Sequence, residues 1–286
     1  MRRAAHEPSR PPGRYDGWVN PRLVHSSFYR FTAVADPTAL AEQLRERGAA
    51  LALGGVVLVA DEGLSAAIAG EAEAVRAFEA ELQARPGFAN LHVKHSACER
   101  RPFSRFKVSV KREIVAFGVP GVSGVDTGTH VSPQRWRELL DDPDTVVLDN
   151  RNSFEFQLGR FRGAIDPGVA HFRDFPAYVE ARRDEWQGKT VAMYCTGGIR
   201  CEKTAAWMQE RGLKVAQLDG GILNFLEAFP DAAQDWQGEC YVFDKRIAID
   251  AAGRETGTTA EAVFTDPADG WRLARARRLD PEGGAA

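Results

Sequence analysis

No apolar run in the sequence approaches the roughly 18–20 residues that span a bilayer, so neither a membrane-spanning segment nor a membrane partner is expected. Cysteine is scarce, four in 286 residues, too few for a disulfide framework. The four stand at Cys98, Cys195, Cys201 and Cys240 with no C-x-x-C pair among them, which argues against a structural zinc. Excess charge of either sign is also missing: 37 Lys and Arg face 40 Asp and Glu, a net charge of −3. That excludes a surface that is cationic throughout and leaves room only for a local basic patch. No P-loop lysine motif and no G-x-G-x-x-G turn follows a strand, so no nucleotide cofactor is readable. No metal site is readable either, because His92 and His95, three apart on an expected strand, project to opposite faces. Residues 1–25 lack the apolar core of a secretory signal, and Glu7 and Asp16 do not suit a transit peptide; a disordered leader is expected there. The chain reads as a reduced, cytoplasmic protein in which one thiol can be reactive.

What is present is organised in two textures. Over 26–96, expected strands at 28–34, 56–60, 65–69 and 91–95 alternate with helices at 37–48 and 71–85. Val75, Phe78 and Leu82 mark one face of the second helix, and Asp61-Glu62-Gly63 makes the hairpin turn. The order β-α-β-β-α-β is that of a ferredoxin-like domain, with two helices on one face of a four-stranded sheet. Residues 97–127 read as a basic linker containing one extended strand over 106–118 and ending in a Gly-rich connector. From 128 to 230, short apolar strands at 145–149, 190–194 and 215–218 alternate with helices, which implies a parallel sheet covered on both faces. Residues 231–286 form a C-terminal extension, expected to be loosely ordered from Gly253 onward.

The most informative stretch is Tyr194-Cys195-Thr196-Gly197-Gly198-Ile199-Arg200-Cys201. A cysteine at a strand-to-helix junction lies where parallel sheets collect ligands. Gly197 and Gly198 free the backbone so that, with Thr196 and Ile199, its N–H groups can curl into an anion nest. The helix N-terminus and Arg200 add positive potential, and all three favour thiolate over thiol at Cys195. The bland alternative is a buried structural cysteine. Cys201 is a secondary candidate: it either resolves a disulfide or persulfide on Cys195 or packs inside the first helical turn.

A second constellation is basic. Lys94, Arg100, Arg101, Arg105, Lys107, Lys111 and Arg112 are opposed only by Glu99, with Phe103 and Phe106 among them. Arginines interleaved with aromatic rings suit phosphate contact and base stacking, although such runs are often just solvated faces. Lys94, Arg100, Arg101, Phe103, Arg105, Lys107 and Lys111 are the RNA-binding candidates. Arg272, Arg275, Arg277 and Arg278 form a further cluster, which either binds RNA loosely or keeps the tail soluble.

At these residues the sequence resembles a family. The C-x4-R loop, Asp149-Asn150-Arg151, Glu155 with Gly163-Ala164, and Leu218-Asp219-Gly220-Gly221 resemble the signature segments of rhodanese domains. More specifically, CTGGIRCEK, DNRN, FRDFP and GECYVFDKR are similar to the tRNA uridine(34) hydroxylase family. Phe28-Tyr29-Arg30-Phe31, Ala60-Asp61-Glu62-Gly63 and Lys94-His95-Ser96 extend the likeness to about residues 26–250. Ser65 departs from the family's Asn, and the tail lacks the extra cysteines of some members.

The resemblance implies an oxidoreductase, with oxygen-dependent hydroxylation of the wobble uridine of tRNA to 5-hydroxyuridine. It implies a rhodanese-type second domain, Cys195 as the active-site cysteine, molecular oxygen as co-substrate and the tRNA anticodon region as partner; no protein partner is readable. Two other readings stay open. One is a sulfurtransferase carrying a persulfide on Cys195, and the other is an RNA-binding module with a vestigial rhodanese domain. A cysteine-loop phosphatase fits less well, because C-x4-R is one residue shorter than the loop that cradles phosphate.

Overall fold

The computed structural model describes residues 22–98, 100–124 and 129–279. Its first layer is built from β1 (Leu23–Phe31), α1 (Pro37–Ala50), β2 (Gly54–Ala60), β3 (Gly63–Glu71), α2 (Ala72–Gln83), β4 (Lys94–Cys98) and β5 (Phe106–Val110). The strands form one sheet in the order β4-β1-β3-β2-β5, antiparallel except that β2 runs parallel to β5. Asp36 caps α1 by accepting from the Ala39 N–H at 2.9 Å, and Pro37 opens the helix where its missing N–H costs nothing. Leu40 and Leu44 of α1 and Val75, Phe78 and Leu82 of α2 share one buried core with Val57, Val59 and Ile68, so both helices cover the same face of the sheet. Gly63, at φ 144°, makes the hairpin turn; a Cβ there would lie 2.0 Å from the Arg30 carbonyl oxygen.

Two expectations change in this layer. The leader expected to residue 25 lies outside the described residues up to 21, but Leu23, Val24 and His25 already pair with β3 and β4. The expected linker supplies a fifth strand. Phe106 and Val108 alternate inward, with Phe106 6.0 Å edge-on from Phe78 and packed where α1 narrows to Gly48. Lys107 between them is exposed, the half-buried alternation of an edge strand, and a lysine there discourages further strand pairing. Beyond β5 the chain crosses over: Ile114 packs on Phe31 and Ala60, and Phe117 enters the second core 5.3 Å edge-on from Trp207.

The second layer comprises β6 (Thr129–Val131), α3 (Pro133–Asp141), β7 (Thr145–Asp149), α4 (Ser153–Leu158), β8 (Gly159–Phe161), α5 (Phe175–Arg182), β9 (Thr190–Tyr194), α6 (Ile199–Gln209), β10 (Lys214–Leu218) and α7 (Gly221–Ala228). Four strands pair in parallel in the order β6-β10-β9-β7. Successive residues serve opposite cores: Val191 and Met193 join Phe175, Val179 and Met208, while Ala192 and Tyr194 join Trp136, Ile222 and Phe225. A strand buried on both faces has to read as a continuous apolar run, as β9 does.

The described residues end with β11 (Trp236–Gly238), β12 (Cys240–Tyr241), β13 (Ala248–Ile249), α8 (Ala260–Val263) and α9 (Gly270–Leu279). β11 pairs with β8, and β12 with β13. The expected loose tail is therefore folded up to the end of the described residues. Phe264 and Ala276 are buried with Phe154 and Tyr241, and the Arg272 guanidinium lies 4.9 Å over the Phe154 ring while donating to the Ala170 carbonyl. The polar composition concealed this because arginine buries its stem and keeps its head hydrogen-bonded. Among the described residues no helix is long and apolar enough to cross a membrane.

Candidate active site at the cysteine loop

β9 delivers Cys195 to the carboxyl edge of the parallel sheet, and α6 starts four residues later. Gly198 adopts φ 102°, turning its N–H onto the Cys195 sulfur at 3.1 Å. The backbone N–H groups of Arg200 and Cys201 point at the same atom. Gly221, at φ 67°, lets α7 begin directly under the loop, where Ile222 and Leu223 donate to the carbonyls of Cys195 and Thr196 at 3.0 and 3.1 Å. A Cβ on Gly221 would sit 2.4 Å from the Cys195 carbonyl oxygen.

Electrostatics separates the four thiols. Burial raises all of them, because it disfavours the charged form. At Cys195 that penalty is outweighed by the hydrogen bond from the Cys201 thiol, the Arg200 charge and the converging N–H groups, which bring it down to about 6. Cys201 shows the complement: burial and its bond to Cys195 push it well up, so it keeps its proton and donates it. Burial raises Cys98 and pushes Cys240 up to about 12. Only Cys195 is prepared as a thiolate.

Arg200 does not point freely into the loop. Its guanidinium makes two bonds to Glu155, at 2.9 and 2.8 Å, and lies 5.9 Å from the Phe243 ring centroid. Glu155 is held in the first turn of α4 and is fully buried. Deeper still, Asp149 and Arg151 form a buried pair at 2.7 Å that also ties the Gly159 carbonyl, fixing the turn after β7. Breaking such a pair typically costs about 3–5 kcal/mol, because the remaining charge is left buried alone. Asn150 joins this turn to α6 by donating to Thr204 at 2.7 Å.

The face of the N-terminal sheet not covered by helices closes over the loop. Lys94, expected as an RNA contact, instead donates from its ammonium to the carbonyls of Gly197 and Gly220, both at 2.6 Å. Burial pushes it down to about 8, partly offset by the negative charge at Cys195, Asp219 and Glu202. Tyr29, on the same face of β1, donates to Glu202 at 3.2 Å, and its hydroxyl would lie 2.7 Å from a Cβ on Gly198. Glu202 continues to His130 at 3.4 Å, and His130 to Asp219 at 3.5 Å. Hydrogen bonds to those two carboxylates push His130 up to about 10. Glu62, from the hairpin turn, pairs with the buried Lys203 of α6 and accepts the Ile114 N–H at 2.9 Å. The motifs around Tyr29, Glu62 and Lys94 are thus the residues that dock one layer on the other.

The remaining basic candidates do not form one patch. β4 and β5 lie at opposite edges of the five-stranded sheet, about 19 Å apart at the usual strand spacing. Arg100 pairs with Glu255 at 2.7 Å, and Arg101 donates to the Ala52 carbonyl at 2.9 Å. Arg105, Lys107 and Lys111 are exposed on and beside β5. Phe103 is buried, its ring stacked 5.8 Å from His25, so the expectation that it stacks on a base is withdrawn. Sequence reasoning missed Cys201 as proton donor and Lys94 and Tyr29 as the cover of the loop. The only local signal was that both cover residues lie in motifs with no evident role of their own.

Residues 23–114 match the UPF0176 acylphosphatase like domain, and residues 132–228 match the Rhodanese-like domain. A tRNA uridine(34) hydroxylase of Synechococcus elongatus is 48% identical over 230 residues, covering 80% of this chain and 86% of the relative. One from Deinococcus radiodurans is 42% identical over 258 residues, 90% of this chain and 84% of the relative. One from Legionella pneumophila is 40% identical over 230 residues, 80% of this chain and 91% of the relative. At this identity and coverage, spanning both layers and the loop between Tyr194 and Cys201, the chain belongs to the tRNA uridine(34) hydroxylase family.

Proposed function

We propose that this protein hydroxylates uridine 34 of tRNA to 5-hydroxyuridine in the cytoplasm, with Cys195 as its reactive group and molecular oxygen as the source of the added atom. The observation that carries this reading is the single thiolate: one of four cysteines is stabilised as an anion, in a loop covered by Lys94 and Tyr29 of the acylphosphatase-like layer. A thiolate is a strong nucleophile at neutral pH, which suits attack on an electrophilic substrate atom. Cys201 holds a proton beside it, and the backbone N–H groups of the loop hold the negative charge. Arg105, Lys107 and Lys111 supply phosphate contacts to the anticodon region from the exposed edge of the sheet.

The loop also favours a second reading, a sulfurtransferase. The N–H groups that converge on the Cys195 sulfur would equally hold the charged terminal sulfur of a persulfide.

Nucleoside mass spectrometry of tRNA separates the two. Tested in a strain lacking the gene, the wild-type chain is expected to restore 5-hydroxyuridine and Cys195→Ser to leave none, with an unchanged melting temperature. Growth under isotopically labelled O2 should place the label on the uridine. Thiolated nucleosides in place of 5-hydroxyuridine would establish the second reading, and full activity in Cys195→Ser would remove the cysteine from the chemistry.

A further inference from the structure

A cavity of about 500 Å³ lies behind the cysteine loop, between α9, the turn at Phe172–Asp174 and the segment following β12. Its lining departs from the rest of the surface in two ways. It carries three arginines, Arg173, Arg272 and Arg275, and no carboxylate, in a chain whose net charge is −3. Phe243, 52% exposed, and Trp271, 49% exposed, are the two most exposed large apolar side chains among the described residues, and both line it. Two exposed aromatic rings converging on one cavity with a polar rim are the kind of apolar patch that marks an interaction site.

The groups divide into scaffold and open valence. Arg272 is committed, with its guanidinium bonded to Asp269 and to the Ala170 carbonyl. Trp271 is set by stacking on His171, with centroids 5.7 Å apart and planes at 29°, and by the Arg272 guanidinium 4.4 Å from its ring centroid, and it stays 49% exposed. Arg173 and Arg275 are exposed and make no ion pair among the described residues. The cavity also shares a wall with the loop, since the Phe243 ring lies 5.9 Å from the Arg200 guanidinium.

We propose that this cavity is a nucleotide subsite. It receives an unpaired base of the substrate RNA, stacked on Trp271, while the attached phosphates pair with Arg173 and Arg275. A planar ring joined to a phosphate matches both features at once, whereas an acidic peptide would leave the aromatic face unused. Unstacked bases of a single-stranded loop are what protein aromatics capture in RNA. The inference rests on the reading of the protein as a tRNA-modifying enzyme and extends it: part of the substrate's recognition lies in the C-terminal extension.

Binding of an anticodon stem-loop RNA containing U34 to the full chain, titrated at several salt concentrations, tests it. The paired change Arg173→Glu with Arg275→Glu should weaken binding at least tenfold and flatten the log–log salt slope by about 1.4, roughly 0.7 for each lost single-strand phosphate contact. Trp271→Ala should weaken it about 5- to 150-fold, the range of one lost base stack, with little change in slope. Trp271→Phe and the paired Arg173→Lys with Arg275→Lys should retain most of the binding, and iodoacetamide labelling of Cys195 should proceed at the wild-type rate in all of them. If Trp271→Ala perturbs α9, the arginine pair decides, since both of those side chains are exposed. Wild-type affinity and slope in the charge-reversed chain, while the wild type binds the RNA and forms 5-hydroxyuridine, would overturn the subsite alone. A wild type that neither binds the RNA nor forms the product would overturn the functional reading and the subsite with it.

Discussion

The cysteine loop and the basic run from Lys94 to Lys111 look alike in the sequence, each a short stretch of unusual composition, yet the fold treats them in opposite ways. Residues 195–201 stay together: two glycines and a helix N-terminus turn neighbouring N–H groups onto one sulfur. The basic run is dispersed, with Lys94 covering the loop, Phe103 in the core and Lys107 on the far edge strand. A constellation made by backbone geometry over one turn survives folding. One that depends on which strand pairs with which does not.

Phe103 offers the sharpest break of that comparison. If it is a core side chain, Phe103→Ala removes a buried ring and should cost about 3–5 kcal/mol in denaturant unfolding. RNA affinity, measured below the transition, should stay unchanged. Unaltered stability with weakened RNA binding would return the residue to the surface and the basic run to a single patch.

Lys94 tests the cover of the loop. Lys94→Met leaves the carbonyls of Gly197 and Gly220 without their shared donor, and should cost about 1–3 kcal/mol. Unfolding curves for the two chains would read it directly, and coincident midpoints would mean that water replaces the ammonium there at no penalty.

Cys201 gives the smallest expected effect and the finest resolution. Its thiol donates to the Cys195 thiolate, so Cys201→Ala should raise the midpoint for Cys195 ionisation from about 6 towards the ordinary thiol value of 9. The wild-type alkylation rate should climb as pH rises through 6; in the variant the climb should come at least one pH unit later, each unit being about 1.4 kcal/mol of lost anion stabilisation. Superimposable pH profiles would leave the backbone N–H groups and Arg200 as the whole cause.

Much of the architecture was readable from periodicity. The β-α-β-β-α-β order and the buried apolar strand before Cys195 each follow from patterns within about ten residues. The alternation from Phe106 was readable as an extended strand, but its end at Val110 and its pairing with β2 in the N-terminal sheet were not, because an edge strand of basic and apolar residues has the composition of a solvated linker. Nor were α8 and α9, whose burial rests on Phe154 and Tyr241 more than a hundred and about twenty residues upstream, respectively, of Phe264.

The candidate thiolate loop is a local feature, legible before any fold is known. A cysteine, two glycines and a helix start within seven residues impose the N–H nest, since backbone φ and the first helical turn act over that distance. Its surroundings come from contacts across long stretches of chain. Lys94 reaches Gly197 across 103 residues, Tyr29 reaches Glu202 across 173, and Arg200 finds Glu155 across 45. Those partners are chosen by which face of one sheet packs against the end of another, a long-range packing solution that no local pattern contains.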